Sequence, residues 1–209
     1  MLSTSPLTFT YDNKRIFNYP EIKCDKGKQL LIYGNSGSGK STLLHLLAGL
    51  IKPNSGRILI DDIDITQLKF GNLDKYRGRK IGFVPQRFPL LFSLNVRDNI
   101  AMACYFAKKK MDLALFKNII DSLEITPFLN RNPRSLSFGE QQRVCIARAI
   151  INSPAILLAD EPTSYLDDKS TENVMSLLER VNQLGNCALI VVSHDERIKN
   201  KIHHQILMS

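Results

Sequence analysis

The chain has 209 residues, 44% of them apolar and 23% charged with 9 prolines, which excludes a disordered polymer and gives enough length to bury a core without disulfides or a structural metal. Lys and Arg number 28 against 20 Asp and Glu, a formal charge of +8 that suits nucleic acid, nucleotide or an acidic membrane surface and cannot choose among them. No apolar run reaches the ~18 residues of a spanning helix, the first six residues lack a secretory pattern, and Cys24, Cys104, Cys145 and Cys187 form no C-x-x-C pair. The expectation is a chain that neither crosses a membrane nor is secreted and that works in a reducing compartment.

In chain order, a basic pair at Lys14-Arg15 precedes an apolar run at 29–33, which reads as a strand, and a helix follows from 40 to about 49. The turn signal Pro53-Asn54-Ser55-Gly56 leads into a strand at 57–60. Further basic patches lie at 77–80 and 108–110, and a solvated face explains any one of them. The stretch from 95 to about 130 has two helical segments broken at 108–110 and no strand, as expected of a helical lobe inserted into an α/β core. Runs at 156–159 and 187–192 are continuously apolar, which suits strands covered on both faces. Between them Val174, Leu177, Leu178, Val181 and Leu184 recur at helical spacing, an amphipathic crossover. The fold class is α/β.

Gly34-Asn35-Ser36-Gly37-Ser38-Gly39-Lys40-Ser41 matches G-x-x-x-x-G-K-[ST] between a strand and a helix. In such a loop the backbone N–H groups of 35–39 turn inward around phosphate oxygens, and the helix N-terminus adds positive potential. Lys40 reaches the β- and γ-phosphates, Ser41 ligates Mg²⁺, and Thr42 is placed to bond a phosphate oxygen. Asp160 and Glu161 follow the strand at 156–159, so both carboxylates emerge at its carboxyl end. Asp160 is the candidate Mg²⁺ ligand, and Glu161 the group that orients and polarises an attacking water. Two adjacent acids at an apolar strand terminus are costly as a purely structural feature.

Ser137-x-x-Glu140 is a capping box, which accounts for a helix start without any ligand. A helix so capped also presents N–H groups to an anion. Together with the phosphate loop and Asp160-Glu161-Pro162-Thr163, the run Leu136-Ser137-Phe138-Gly139-Glu140-Gln141-Gln142-Arg143 resembles the ATP-binding subunit of an ATP-binding-cassette (ABC) transporter, from about Leu7 to Met208. The likeness implies a P-loop NTPase core sheet with flanking helices, an N-terminal antiparallel β part and a helical lobe at about 87–153, all within a single ATP-binding domain over 1–209.

The same resemblance implies that Tyr11 stacks on adenine and that Gln86 links core to lobe and joins Ser41 and Asp160 at Mg²⁺. It further implies that 164–167 crosses a dimer interface and that His194 meets the γ-phosphate. Catalysis then falls to Lys40, Gln86, Glu161 and His194, while Ser137, Gly139 and Glu140 face ATP held by a second subunit, expected to be a twin, in a head-to-tail dimer. The run around 139–143 with 157–162 resembles the subgroup serving lipoprotein release and macrolide export. Cofactors are thus ATP and Mg²⁺, and the partners an integral membrane permease and a second ATP-binding subunit. No nucleic acid is expected, and the location is peripheral, on the cytoplasmic face of the inner membrane.

Phe88, Leu90, Leu91 and Phe92 are candidates to receive the permease, local packing being the competing account of each. After His194 about one more strand is expected and no regulatory domain. Phe138 stands where the family has a glycine and Tyr165 where a smaller residue is usual. A Phe138 ring turned away from phosphate leaves activity intact; one that blocks the facing subunit slows turnover. Three other readings are weighed. A soluble ABC ATPase acting on nucleic acid or ribosomes usually fuses two cassettes or carries a long coiled coil; a nucleotide kinase has no task for Glu161 and Ser137; a nucleotide-sensing regulator with weak hydrolysis is motivated by Phe138.

Overall fold

The computed structural model describes residues 1–12, 15–164 and 166–208, with the backbone alone for Leu184; Lys14 and Tyr165, singled out above, lie outside the described residues. The first half runs β1 (Leu2–Thr4), β2 (Leu7–Thr10), β3 (Ile16–Tyr19), β4 (Lys23–Cys24), β5 (Gln29–Gly34), α1 (Lys40–Leu47), β6 (Ile58–Ile60), β7 (Ile63–Asp64), α2 (Phe70–Lys80) and β8 (Ile81–Val84). The second half continues with α3 (Val96–Phe106), α4 (Leu113–Ser122), α5 (Phe138–Ile150), β9 (Ile156–Asp160), α6 (Asp168–Gly185), β10 (Ala188–Ser193), α7 (Glu196–Lys199) and β11 (Gln205–Met208).

A parallel sheet in the order β11-β5-β10-β9-β8 forms the centre. Every residue of β9 and β10 is buried, so these strands need apolar side chains on both faces. The twofold alternation of a strand then splits them between two cores. Leu30, Ile32, Ile190 and Val192 pack with α1 and the antiparallel sheet β4-β1-β6-β7. Leu31, Leu189 and Val191 pack on the other side with residues of α3, α4, α5 and α6. A fully buried Leu or Val contributes about 1.5–3 kcal/mol, so both layers are firmly held to the sheet.

The helix starts are chemically marked. Asn95 caps α3 by accepting from the Asp98 N–H at 2.8 Å, Asp112 caps α4, and Asp167 caps α6 by accepting from the Ser170 N–H at 2.8 Å. Each satisfies a backbone donor that the helix leaves over. The break expected at 108–110 separates α3 from α4 as anticipated. The N-terminal antiparallel part is present, and β2 and β3 form a separate two-stranded ribbon that places Tyr11 and Arg15 at one end. α2, which carries the 77–80 patch, buries none of its residues fully and packs on the core through Leu73 and Tyr76. All four cysteines are free and buried. Among the described residues no helix is long and apolar enough to cross a membrane.

Candidate active site

Parallel pairing delivers the polar residues to one edge. Ser193 lies opposite Tyr33, and Val192 opposite Asp160, so the segments after β5, β9 and β10 leave the sheet side by side at its carboxyl end, where α/β folds bind ligands. Between β5 and α1, Gly37 and Gly39 have φ of +80° and +92°, which glycine alone adopts freely. Space enforces the second: a Cβ on Gly39 would stand 2.6 Å from the Phe17 ring. Gly39 directly precedes α1, and no described side chain caps that helix, which leaves its first N–H groups to an anion.

Lys40 is buried, and its Nζ donates to the carbonyls of Gly34 at 2.8 Å and Asn35 at 2.9 Å, suspending the charge over the loop. Ser41 Oγ donates to Asp160 Oδ1 at 3.1 Å. Burial pushes the Asp160 carboxyl up from its ordinary value, against the lowering effect of Ser41. A desolvated carboxylate paired with a hydroxyl is short of positive charge, and this donor set fits Mg²⁺, which keeps several waters and shares phosphate oxygens rather than needing an all-protein cage. No cluster of three or more metal-ligating His, Cys, Asp or Glu occurs among the described residues.

Glu161 has φ of +48°, an unfavourable conformation for a side chain with a Cβ. Its N–H donates to the Val192 carbonyl at 2.8 Å, which fixes the turn. Oε2 accepts from Ser193 Oγ at 3.1 Å, and Oε1 lies 2.8 Å from His194 Nδ1. Two strands thus hold one carboxylate oxygen on a serine and the other on a largely exposed imidazole. Backbone strain of this sort is retained where surrounding structure over-determines it.

Tyr11 packs edge-on against Phe9 with centroids 4.7 Å apart, its hydroxyl lies 3.2 Å from Thr42 Oγ1, and 63% of the residue is exposed. Its open ring therefore sits beside the phosphate loop. Gln86 Nε2 makes a loose contact of 3.5 Å with Ser164 Oγ, which itself donates to the Glu161 carbonyl at 2.9 Å. Ser137, Gly139 and Glu140 stand apart on the lobe, at the start of α5. Ser137 Oγ accepts from the Glu140 N–H at 3.3 Å and the Ser137 N–H donates to Glu140 Oε2 at 2.7 Å, the full capping box. Those bonds hold the Glu140 carboxyl below its usual range.

Local packing explains part of the lobe's apolar run. Leu90 is buried and Phe88 packs on the core, whereas Leu91 and Phe92 are exposed. The roles of several contributors escaped the sequence. Arg15 Nη2 donates to the Gly37 carbonyl at 2.6 Å and its guanidinium lies 4.8 Å from the Phe17 ring centroid. Tyr19 donates to the Gly39 carbonyl at 3.1 Å. Thr163 Oγ1 donates to Asp195 Oδ2 at 2.8 Å, and Arg197 grips the same carboxylate at 2.7 Å. The Arg197 bonds, helped by Thr163, hold Asp195 down at about 2. Gln142, fully buried, donates to the Pro162 carbonyl at 2.6 Å. These bonds brace the loop after Glu161 from both sides.

The sequence pattern of the ABC transporter family matches residues 17–164. The chain is 37% identical to the lipoprotein-releasing system ATP-binding protein LolD of Colwellia psychrerythraea, over 92% of this chain and 75% of that one. It is likewise 37% identical to the macrolide export ATP-binding/permease protein MacB of Campylobacter jejuni, over 85% of this chain and 28% of that much longer one. Among solved structures, a dimeric bacterial ABC transporter cassette aligns with a TM-score of 0.86 and 34% identity, over 100% of this chain and 94% of that one. The same cassette in a dimeric post-hydrolysis state with ADP and Pi aligns with the same score.

Proposed function

This chain belongs to the ABC transporter family, and from that premise we propose that it is the ATP-hydrolysing subunit of a membrane complex of the lipoprotein-release or macrolide-export kind. It is an ABC-type ATPase that binds nucleotide. The observation that carries the reading is the meeting, at one sheet edge, of the Ser41–Asp160 pair with the Glu161–His194 pair.

The N–H groups of 35–41 receive the phosphates, with Lys40 and Thr42 adding donors, while Tyr11 offers its ring to adenine. Ser41, Asp160 and Gln86 would hold Mg²⁺, which when bound would neutralise charge on the β- and γ-phosphates. Glu161 aligns a water and takes up its proton as the oxygen attacks the γ-phosphorus; the bond to the β-phosphate oxygen breaks and its electron pair leaves with ADP. His194 and Ser193 keep the carboxylate aimed throughout. His194 also meets the γ-phosphate, a role its exposed ring supports.

The chain serves as one ATP-binding domain whose lobe, at about 87–153, presents Ser137 and the N–H groups of Gly139 and Glu140 to ATP on a second, identical copy. Glu140 takes part by holding Ser137. Closure on ATP and reopening after hydrolysis drive an integral membrane permease, with the chain attached peripherally on the cytoplasmic face. Capture of the tagged chain from gently solubilised native membranes, followed by mass spectrometry, tests this. A multispanning membrane protein in stoichiometric amount is expected. Recovery of soluble proteins or nucleic acid alone, with ATPase activity intact, would overturn it in favour of the soluble class.

A further inference from the structure

We propose that Phe138 is a positioning residue for ATP hydrolysis, whose ring, packed on Phe88, ties the start of α5 to the segment carrying Gln86. The inference rests on the reading that both parts serve ATP. The ring centroids are 4.9 Å apart with planes at 50°, and Phe138 remains 47% exposed. As the first residue of α5, Phe138 would project past the helix end, because side chains lean toward the N-terminus. Contact with Phe88 turns it aside instead. Beyond its two chain neighbours and the adjoining backbone of α5, no described atom stands within 4 Å of where a Cβ on Gly139 would lie, so no other described part of the chain covers that position.

The contact joins two stiff bodies. Beyond Gln86, the fully buried Asn99 accepts from the Leu91 N–H at 2.8 Å and donates to the carbonyls of Leu91 at 3.0 Å, Leu94 at 3.2 Å and Asn95 at 2.8 Å. Arg148 Nη1 holds the Pro89 carbonyl at 2.8 Å, and Leu90 is buried. A displacement at Gln86 is therefore passed on by Phe88 rather than absorbed in the following loop. On the other side, the Ser137–Glu140 box and the Gln142 bond to Pro162 stiffen the start of α5. A bulky residue in place of a glycine thus works as an internal link between Gln86, whose amide reaches Ser164 beside Glu161, and the helix start that faces the second copy.

The test is a double-mutant cycle on steady-state ATP hydrolysis, with thermal unfolding of every variant confirming the fold. Phe88→Ala and Phe138→Ala should each lower kcat about five-fold with KM for ATP nearly unchanged, and the double variant should be no slower than the slower single. Phe138→Tyr, which keeps the ring, should restore kcat to within about two-fold of the unmodified chain. Losses that multiply in the double variant, or Phe138→Ala at the unmodified kcat, would overturn the proposal. Failure of the two-copy reading shows separately, as a Glu161→Gln variant that binds ATP and stays monomeric.

Discussion

The two halves of the site are built to different standards of completeness. At the sheet edge, Lys40, Ser41, Asp160, Glu161 and His194 are partnered within the chain at 2.8 to 3.1 Å and rest on strands buried on both faces. At the start of α5, Ser137 and Gly139 are exposed on the lobe, with their polar groups arranged by the local box and the helix start steadied by Gln142 and Phe138. The first half gains its precision from the sheet and needs nothing from outside to be arranged. The second is an arranged surface without a counterpart in its own chain, which is the physical ground for assigning it to ATP held by another copy.

The contrast can be broken most severely at the sheet edge. Lys40→Ala removes a buried, charge-assisted donor, and ATP affinity should fall about 100-fold, as titration calorimetry would show. Glu161→Gln keeps the shape but loses the proton acceptor, so kcat should fall by about 10²–10³ while the Kd for ATP stays within about two-fold. Comparable turnover by this variant and the unmodified chain would remove Glu161 from its assigned place.

Changes at the α5 start should be milder and differently distributed. Ser137→Ala loses the cap and should cost about 1 kcal/mol in unfolding free energy. It should also lower kcat with no change in ATP affinity of the isolated chain, as the proposed contact of Ser137 with ATP on a second copy requires. The smallest effect concerns the brace behind Glu161. Asp195 is held at about 2, below its ordinary value of 3.8, so its folded form binds fewer protons than the unfolded one near that range. Its stabilisation is complete above about 4 and is lost as the pH falls toward about 2. Asp195→Asn should therefore flatten the acid limb of a stability profile, and an unchanged limb would show that the brace contributes nothing.

Legibility in the sequence followed the range of the interactions. The phosphate loop, β5, β9 and β10 were readable because glycine spacing and unbroken apolar runs are local signals, and Asp160-Glu161 followed from the strand end alone. The capping box was readable for the same reason. α2 was hidden because it buries no residue fully and rests on the core through little more than Leu73 and Tyr76. Asn99, Arg15, and the Thr163–Asp195–Arg197 brace were hidden because their meaning lies in partners brought near by folding, as with Thr163 and Asp195, which lie 32 residues apart. The Phe138–Phe88 contact is of this kind too. In sequence Phe138 reads only as a departure from glycine, and the structure turns its ring toward the lobe.

The claim that one site is shared between two copies is tested most directly by the molar mass of the Glu161→Gln variant in solution, measured by light scattering with and without ATP and Mg²⁺. The account expects a monomer that becomes a dimer on adding ATP, and a return to monomer when Ser137→Ala and Gly139→Glu are added to it. A variant that binds ATP fully yet remains monomeric at every concentration reached would contradict the account.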